Sequence, residues 1–273
     1  MKLLDIFSGI GGFSLGLERA GFETIAFCEI EDYPRKVLAK HWPDVPIAGD
    51  IRKLSYNRET QELTYDGQII YRGTIDAICG GFPCQDISTA GLQAGISGER
   101  SGLYFEYCRL IGEIRPEYVF MENVTNLLNG SNGAWFGVVL GELAKIRYDA
   151  IWHCIPASSI GAPHRRDRVW VVCYPDDESE SALSINDETQ VLQKHDTNTN
   201  KAQLKGRGLS VRISKEHSNA CNPCWGKDKP GVDRASDGIS RQMDRLGCLG
   251  NAVVPQIPEI IGRAIMKYEE DIK

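Results

Sequence analysis

The sequence has no apolar stretch that approaches the roughly 18 residues required of a membrane-spanning helix. It also lacks a cleavable signal pattern, because glycines and Asp5 interrupt the apolar residues of "MKLLDIFSGIGG" at its start. The composition of the whole sequence, with 42% hydrophobic and 25% charged residues, is typical of a globular protein. These features predict a protein of the cytoplasm without a membrane partner.

The nine cysteines show no spacing typical of a disulfide framework. An odd number of scattered cysteines fits free thiols in a reducing compartment. Five of them lie in apolar segments and are predicted to be core residues: Cys28, Cys79, Cys108, Cys154 and Cys173. His217, Cys221 and Cys224 have spacings found in zinc sites, but they supply only half of such a site. We therefore expect no metal.

Basic residues are fewer than acidic residues, 31 against 37, so the chain has a formal net charge of −6. A nucleic-acid-binding protein usually carries a basic face, and the net charge alone argues against one. The charges are grouped, however. Residues 176–190 contain six acids and no base, whereas residues 201–215 contain five bases and no acid, and arginines cluster at 164–168 and 233–245. Grouped arginines can bind a polyanion locally even on an acidic chain.

Apolar runs alternate with helix-like segments over the first 175 residues. Strands are predicted at 2–7, 24–30, 75–79, 117–122 and 168–174, and helices at 13–22 and 104–114. This alternation indicates the α/β class, with a Rossmann-like, mostly parallel, doubly wound sheet. "YDAIWHCI" and "RVWVVCY" are predicted to pair antiparallel at the edge of this sheet.

The composition changes near residue 176, where aliphatic runs become rare and polar residues dominate. We predict a main domain over 1–175 that carries the ligand site. A small irregular second lobe is expected over 176–244, and the C-terminal segment 245–273 is expected to return to the main domain as a helix.

Glycines and acids follow the predicted strands, at the sheet edge where ligands of parallel sheets bind. "FSGIGG" follows the first strand, Glu29 ends the second strand twenty residues after Gly9, and Asp50 closes "IAGD". A glycine turn lets backbone N–H groups approach a ligand, and an acid at this distance can hold ribose hydroxyls. Because the spacing is not GxGxxG, a nucleoside without phosphates fits better than a dinucleotide, with Asp50 on the adenine amino group. A plain structural turn is an equally good explanation of the glycines alone.

Two residues with reactive side chains follow later strands. Cys84 lies in the bend "GGFPCQ", and Glu122 lies in "MENV". A free thiol is only a few per cent thiolate at neutral pH, so a nucleophilic cysteine needs an exposed, electropositive site. The bend favours exposure, and "HRRDR" at 164–168 offers positive charge. The simpler alternatives are that Cys84 is a small buried thiol and that Glu122 is a strand-end acid or a helix cap.

Five segments occur in a fixed order along the chain: "DIFSGIGGFSLGLERAGF", "GGFPCQDIS", "MENV", "HRRDRVW" and "GNAVVPQ". Together they resemble the ordered motifs of the DNA (cytosine-5) methyltransferases. The resemblance covers residues 1–174 and about 245–265, and it leaves unmatched the part where that family keeps its target-recognition region. It implies the fold of the S-adenosylmethionine-dependent methyltransferases. It also implies methyl transfer to C5 of a cytosine flipped out of a specific duplex DNA sequence.

The resemblance also implies roles for individual residues. Cys84 matches the nucleophile and Glu122 the general acid at N3 of cytosine. Arg166 and Arg168 match the arginines near cytosine O2 and the nucleophile. S-adenosylmethionine, which leaves as S-adenosylhomocysteine, is expected to contact Phe7, Ser8, Gly9, Ile10, Gly11, Gly12, Glu29, Ile30, Asp50, Ile51, Leu103 and Asn251. The loop after the nucleophile is expected to contact DNA through Gln85, Ser88 and Arg100. His164 departs from the family, in which many relatives have glutamine.

Three alternatives remain at this point. An RNA methyltransferase acting on a tRNA cytosine would use the same Cys84 and Glu122. A catalytically silent DNA-binding regulator would be expected to lack Cys84, Glu122 or the glycine turn, and all three are present. A nicotinamide oxidoreductase would need the GxGxxG spacing. The chain is expected to act as a monomer on duplex DNA, and a cognate restriction endonuclease is a candidate partner.

Overall fold

The computed structural model describes residues 1–83, 102–176 and 251–271. Cys84, Gln85, Ser88, Arg100 and the predicted lobe beyond Asp176 lie outside the described residues. Within the described residues, no helix is both long and apolar enough to cross a membrane.

Strands and helices are numbered here in chain order over the described residues. The strands are β1 (Lys2–Ile6), β2 (Glu23–Cys28), β3 (Ile47–Ala48), β4 (Leu54–Asn57), β5 (Glu62–Tyr65), β6 (Gln68–Arg72), β7 (Ala77–Gly80), β8 (Tyr118–Val124), β9 (Tyr148–Pro156) and β10 (Asp167–Pro175). The helices are α1 (Gly12–Arg19), α2 (Asp32–His41), α3 (Gly102–Ile114), α4 (Asn126–Asn129), α5 (Ala134–Lys145) and α6 (Gln256–Asp271), with 3-10 turns at Ile51–Lys53, Gly130–Gly133 and Ala157–Ile160.

Seven of the described strands form one sheet in the order β3-β2-β1-β7-β8-β10-β9. Strands β1, β2, β3, β7 and β8 run parallel, whereas β10 is antiparallel to both of its neighbours. The central strands are continuously buried because helices cover both faces, as their unbroken apolar runs predicted. The predicted antiparallel pair at the sheet edge is confirmed, with Val171 of β10 opposite Trp152 of β9.

The two faces of the sheet bury separate apolar clusters. On one face α3 and α5 pack against the sheet, with Tyr107 and Val139 fully buried. On the other face α1 and α6 pack, with Leu17 and Ile265 fully buried. Helix α6 thus completes the core of a domain whose first strand lies some 250 residues earlier. The domain boundaries themselves stay predictions.

Glycines allow the C-terminal segment to lie directly on α1. A Cβ atom at Gly12 would lie 2.6 Å from the Val253 carbonyl oxygen, and one at Gly16 would lie 2.1 Å from that of Pro255. Both contacts are with backbone atoms, which cannot move aside as a flexible side chain can. Residues 251–255 are therefore pressed against the helix that follows the glycine turn.

A second sheet of three antiparallel strands, β4-β5-β6, was not among the predicted elements. Its β5–β6 hairpin has the two-residue turn Asp66–Gly67, in which both residues have positive φ, 52° and 77°. Asp-Gly is the preferred sequence for such a turn, so the local signal was present in "YDGQ". The sheet packs on α3, where Glu113 Oε2 accepts a hydrogen bond of 3.0 Å from the Tyr56 backbone.

One of the predicted core cysteines is placed differently. Cys28, Cys79, Cys108 and Cys173 are buried as predicted, whereas Cys154 is exposed. Cys154 lies on β9, the edge strand of the large sheet, which has a described neighbour on one side alone. An apolar pattern does not distinguish an edge strand from a central one, and this explains the wrong prediction.

Replacement of Gly16 by alanine tests the close contact between α1 and the C-terminal segment. We expect Gly16→Ala to lower the free energy of unfolding by about 1–3 kcal/mol, the usual cost of overpacking, despite alanine's higher helix propensity. Gly141→Ala in α5 is the matched control because its Cβ would meet nothing within 4 Å. That variant should be stabilised by up to about 1 kcal/mol. Urea unfolding measures both, and equal stability of the two variants would contradict the contact.

Candidate active site

The turn after β1 has an unusual backbone. Phe7, Gly9 and Gly11 all have positive φ, at 53°, 52° and 83°. At Gly11 a Cβ would also lie 2.7 Å from the Trp42 ring, so this position requires glycine for two independent reasons. The result is a tight turn whose backbone faces the ligand end of the sheet.

Polar groups beneath this turn hold it in place. Ser8 Oγ donates a hydrogen bond of 2.7 Å to the Asp5 carbonyl, and it accepts one of 3.3 Å from the Cys28 backbone. The fully buried carboxyl of Asp5 accepts hydrogen bonds from the Ser14 hydroxyl (2.7 Å) and backbone (3.3 Å) at the start of α1. The Ser8 side chain is thus used within the protein. Its backbone is also used, since the N–H donates to the Cys28 carbonyl and the carbonyl accepts from the Gly11 N–H.

Glu29 is attached to the same turn. Its Oε2 accepts a hydrogen bond of 2.7 Å from the Gly9 backbone, and its Oε1 accepts one of 2.8 Å from the Glu31 backbone. The residue is buried, yet its carboxylate borders the large cavity described below. Glu29 therefore fixes the glycine turn relative to β2, in addition to the ribose contact predicted for it.

Asp50 is paired with an arginine that the sequence patterns did not single out. Its two carboxylate oxygens accept hydrogen bonds of 2.9–3.1 Å from the Arg52 guanidinium and one of 3.0 Å from the Arg52 backbone. These hydrogen bonds lower the pKa of Asp50 below its usual value. The carboxylate therefore stays ionised and oriented at the rim of the cavity.

A single cavity of about 790 Å³ opens at this edge of the sheet. Its lining includes most of the predicted cofactor residues: Phe7, Gly9, Glu29, Ile30, Asp50, Ile51, Leu103 and Asn251. Glu122, Arg166 and Arg168 line the same cavity. Ile10, Gly11 and Gly12 line a smaller neighbouring cavity of about 270 Å³ instead. The residues predicted to bind a nucleoside and the carboxyl of Glu122 thus line one continuous space.

Glu122 and Arg168 form a shielded ion pair. The Glu122 Oε1 and Arg168 Nε atoms are 3.0 Å apart, with 10% and 21% of the two side chains exposed. Arg168 is paired with Val124 across the β8–β10 ladder, so Glu122 is its diagonal neighbour on the same face. Burial raises the pKa of Glu122 above its usual value, although the charges of Arg168 and Arg166 oppose this shift. A carboxyl in this setting can keep a proton closer to neutral pH than an exposed one.

Arg166 has a different partner from Arg168. Its Nη2 donates a hydrogen bond of 2.7 Å to the Ala252 carbonyl, and it lines both cavities. Its φ of 36° is in the left-handed region that few arginines adopt. The two arginines predicted to act together thus line the same large cavity, but Arg168 pairs with Glu122 whereas Arg166 donates to Ala252.

The comparison with known families identifies one family. The profile of the family described as C-5 cytosine-specific DNA methylase matches residues 1–234. The chain belongs to this family. The resemblance read from the five sequence motifs is confirmed.

Individual relatives agree with this assignment. Type II methyltransferase M2.BsuMI of Bacillus subtilis (strain 168) is 32% identical over 88% of this chain and 55% of its own length. Type II methyltransferase M.HhaI of Haemophilus parahaemolyticus is 32% identical over 65% of this chain and 50% of its own length. The chain thus spans about half the length of these two relatives.

Two solved structures share the fold. A DNA modification methyltransferase encoded within an E. coli prophage is 28% identical with a TM-score of 0.50, covering 64% of this chain and 47% of its own. The methyltransferase EhMeth of Entamoeba histolytica has a TM-score of 0.55 at 15% identity, covering 100% of this chain and 99% of its own. At that identity it shows the fold alone. The predicted α/β methyltransferase fold is confirmed, whereas the roles of the individual residues stay predictions.

Asn123 is a further site residue of this family member that the sequence patterns left without a role. Its buried side-chain amide donates a hydrogen bond of 2.9 Å to the Phe82 carbonyl, and its Oδ1 accepts one of 2.9 Å from the Val124 backbone. It thereby ties the end of β8 to the turn that leads toward Cys84. The "MENV" motif contains this residue, but its partner is 41 positions away and no local pattern indicates it.

The buried carboxyl of Asp5 is expected to make the free energy of unfolding of the protein depend on pH. Burial raises the pKa of Asp5 from its ordinary 3.8 to about 7, and the hydrogen bonds from Ser14 offset only part of this shift. The folded state therefore binds a proton more tightly than the unfolded state. Stability from this group is complete below about pH 4, and about 4 kcal/mol of it is lost as the pH rises to about 7.

Asp5→Asn should remove that part of the pH dependence, because the amide does not ionise. The measurement is the free energy of unfolding in urea at several pH values between about 4 and 8. Asp66→Asn is the control, since Asp66 is a turn residue whose carboxyl pairs with Lys53 in an exposed ion pair. A wild-type profile that Asp5→Asn leaves unchanged would contradict the raised pKa.

Proposed function

We propose that this chain is an S-adenosylmethionine-dependent DNA (cytosine-5-)-methyltransferase that methylates C5 of cytosine in duplex DNA. The observation that carries the proposal is the single cavity shared by Glu29 and Asp50 on one side and the Glu122–Arg168 pair on the other. A methyl transferase needs its donor and its acceptor in one space. The description of the family, C-5 cytosine-specific DNA methylase, supports DNA as the substrate.

The residues around the cavity fit a cationic nucleoside. Glu29, Glu31 and Asp32 give this part of the lining several carboxylates, which suit the positive charge of a sulfonium. Gly9 provides a turn without a side chain, and Glu29 and Asp50 are the proposed partners of ribose and adenine. S-adenosylmethionine would supply an electrophilic methyl group here.

The acceptor carbon has to be activated by the protein. C5 of cytosine is a poor nucleophile while the ring is aromatic. A thiolate that adds to C6 breaks the aromaticity and makes C5 enamine-like, so one difficult step becomes two easier ones. Cys84 is the proposed nucleophile. It lies outside the described residues, but Phe82 and Pro83, which lead to it, line the cavity.

Glu122 is the proposed general acid. The electron pair pushed into the ring by the thiolate collects at N3, where a protonated carboxyl can donate its proton. The raised pKa of Glu122 supports this role, since it keeps more of the carboxyl protonated. Arg168 orients the carboxyl through its 3.0 Å contact and is the proposed partner of cytosine O2.

The ring is then restored. C5 forms its bond to the methyl group as the methyl–sulfur bond breaks, which would leave a neutral thioether. A base removes the C5 proton, the electron pair of that C–H bond expels the Cys84 thiolate from C6, and N3 returns its proton to Glu122. None of these steps is accessible to a stacked base, so the target cytosine has to leave the duplex. Gln85, Ser88 and Arg100 are the proposed DNA contacts of the loop that follows the nucleophile. We further propose that the chain acts as a monomer in the cytoplasm. A restriction endonuclease is its proposed functional partner.

Trapping with 5-fluorocytosine tests the mechanism and the substrate together. Fluorine at C5 cannot leave as a proton does, so the Cys84 adduct should persist. Long duplex DNA synthesised with 5-fluorocytosine, which contains every short target sequence, should form a denaturation-resistant complex with the chain when S-adenosylmethionine is present. The readout is gel mobility followed by peptide mapping of the crosslink.

Two variants serve as controls for the trap. Cys84→Ser should abolish the complex, whereas Cys154→Ser, which changes an exposed cysteine, should leave it unaffected. Fluorinated tRNA is the competing substrate. A complex with tRNA and none with duplex DNA would overturn the choice of DNA in favour of the RNA methyltransferase. No complex with either substrate would contradict covalent catalysis.

Glu122→Gln separates catalysis from binding. Glutamine keeps the shape of the side chain but has no acidic proton, so kcat should fall by about 10²–10⁴-fold. The affinity for the cofactor should change little, because Glu122 lies on the acceptor side of the cavity. Glu142→Gln on α5, whose partner is the exposed Lys145, is the matched control. Near-normal turnover of Glu122→Gln would show that Glu122 is structural.

A further inference from the structure

Arg166 and Arg168 of "HRRDRVW" are two positions apart, yet they contact different parts of the molecule. Arg168 is directed to Glu122 on the neighbouring strand. The Arg166 guanidinium donates instead to the carbonyl of Ala252, a residue 86 positions later in the chain. The alternation of a β-strand would place both side chains on one face. The departure has to come from the backbone at Arg166.

That backbone is in an unfavourable conformation. Arg166 has a φ of 36°, and its carbonyl accepts a hydrogen bond of 3.2 Å from the Ala157 backbone. A non-glycine residue with positive φ is kept there only where its surroundings over-determine it. The conformation just before β10 brings the guanidinium to the C-terminal segment, while its charge still acts on Glu122 in the shared cavity.

Charge makes the Ala252 carbonyl a suitable partner. Arg166 is partly buried and stands near the like charge of Arg168, and both effects lower the pKa of Arg166. A guanidinium that has lost part of its hydration needs acceptors. A backbone carbonyl at 2.7 Å gives it a charge-assisted hydrogen bond without introducing a second ionisable group into the cavity.

The segment that Arg166 holds is part of the cofactor side of the site. Asn251 lines the large cavity, and Ala252, Val253 and Pro255 line the small one beside the glycine turn. The contacts of Val253 and Pro255 with α1 seat the segment on the helix. Arg166 borders both cavities and attaches the beginning of this segment to the end of the sheet.

We propose that Arg166 is a positioning residue that holds the segment Asn251–Pro255 at the cavity, and thereby places Asn251 for cofactor binding. Arg168 is the arginine that serves the target base. This inference rests on the proposed function for the identity of the cofactor. It assigns the support of cofactor binding to Arg166 and the contact with the target base to Arg168.

Cofactor binding tests this division. Calorimetric titration with S-adenosylhomocysteine should show that Arg166→Ala raises Kd by about tenfold or more, the effect of one charge-assisted hydrogen bond. Arg166→Lys should restore most of the affinity, because an ammonium can also donate to the carbonyl. Arg168→Ala should leave Kd nearly unchanged but slow the formation of the 5-fluorocytosine adduct. In a double-mutant cycle, Arg166→Ala and Asn251→Ala should be non-additive.

A second readout needs no cofactor. Hydrogen exchange of the full chain should show faster exchange of the backbone amides from 251 to about 262 in Arg166→Ala than in Arg166→Lys or the wild type. Unchanged exchange there, with S-adenosylhomocysteine affinity also unchanged and adduct formation slowed as in Arg168→Ala, would overturn the proposal and place Arg166 at the base. A wild-type chain that binds no S-adenosylhomocysteine would contradict the proposed function. The exchange experiment would still decide whether Arg166 holds the segment.

Discussion

The reversed direction of β10 is the constraint on which the site depends. Strands β1, β2, β7 and β8 all end at one edge of the sheet, whereas β10 begins there because it runs antiparallel to β8. A basic motif at the start of β10 therefore meets an acid at the end of β8. With a parallel β10, Arg168 would lie at the far edge and Glu122 would be buried without its charge partner.

Two opposing effects act on the Glu122 carboxyl at this edge: its burial and the positive charge of the arginines beside it. Desolvation favours the protonated form of Glu122, whereas an arginine beside it favours the ionised form. The 3.0 Å pair with Arg168 combines both effects, and the outcome is a pKa shifted upward despite two nearby guanidinium groups. Such a carboxyl can give up a proton and take it back, which a general acid has to do in every turnover. Asn123, the next residue, donates a hydrogen bond to the carbonyl of Phe82, which precedes Cys84 by two positions in the chain.

The donor side is built by a different principle, from backbone held by buried polar groups. Glu29, Ser8 and Asp5 each bind main-chain or hydroxyl groups of the glycine turn and the start of α1. The C-terminal segment adds Asn251 from the opposite end of the chain, seated on glycines of α1. This arrangement preforms the pocket. The shape of the cavity therefore depends on long-range packing as well as on the motif residues.

Local sequence was enough to determine the alternating α/β pattern, the glycine turn and the residues that follow each strand. Apolar runs, turn residues and motif order are properties of neighbouring positions, and so the family was also readable. Only the tertiary structure decided which of those residues meet. The Glu122–Arg168 contact depends on strand direction and register, Arg166–Ala252 and Asn123–Phe82 join distant positions, and the exposure of Cys154 depends on the sheet edge. Such contacts are set by the packing of elements against one another, which no short window of sequence contains.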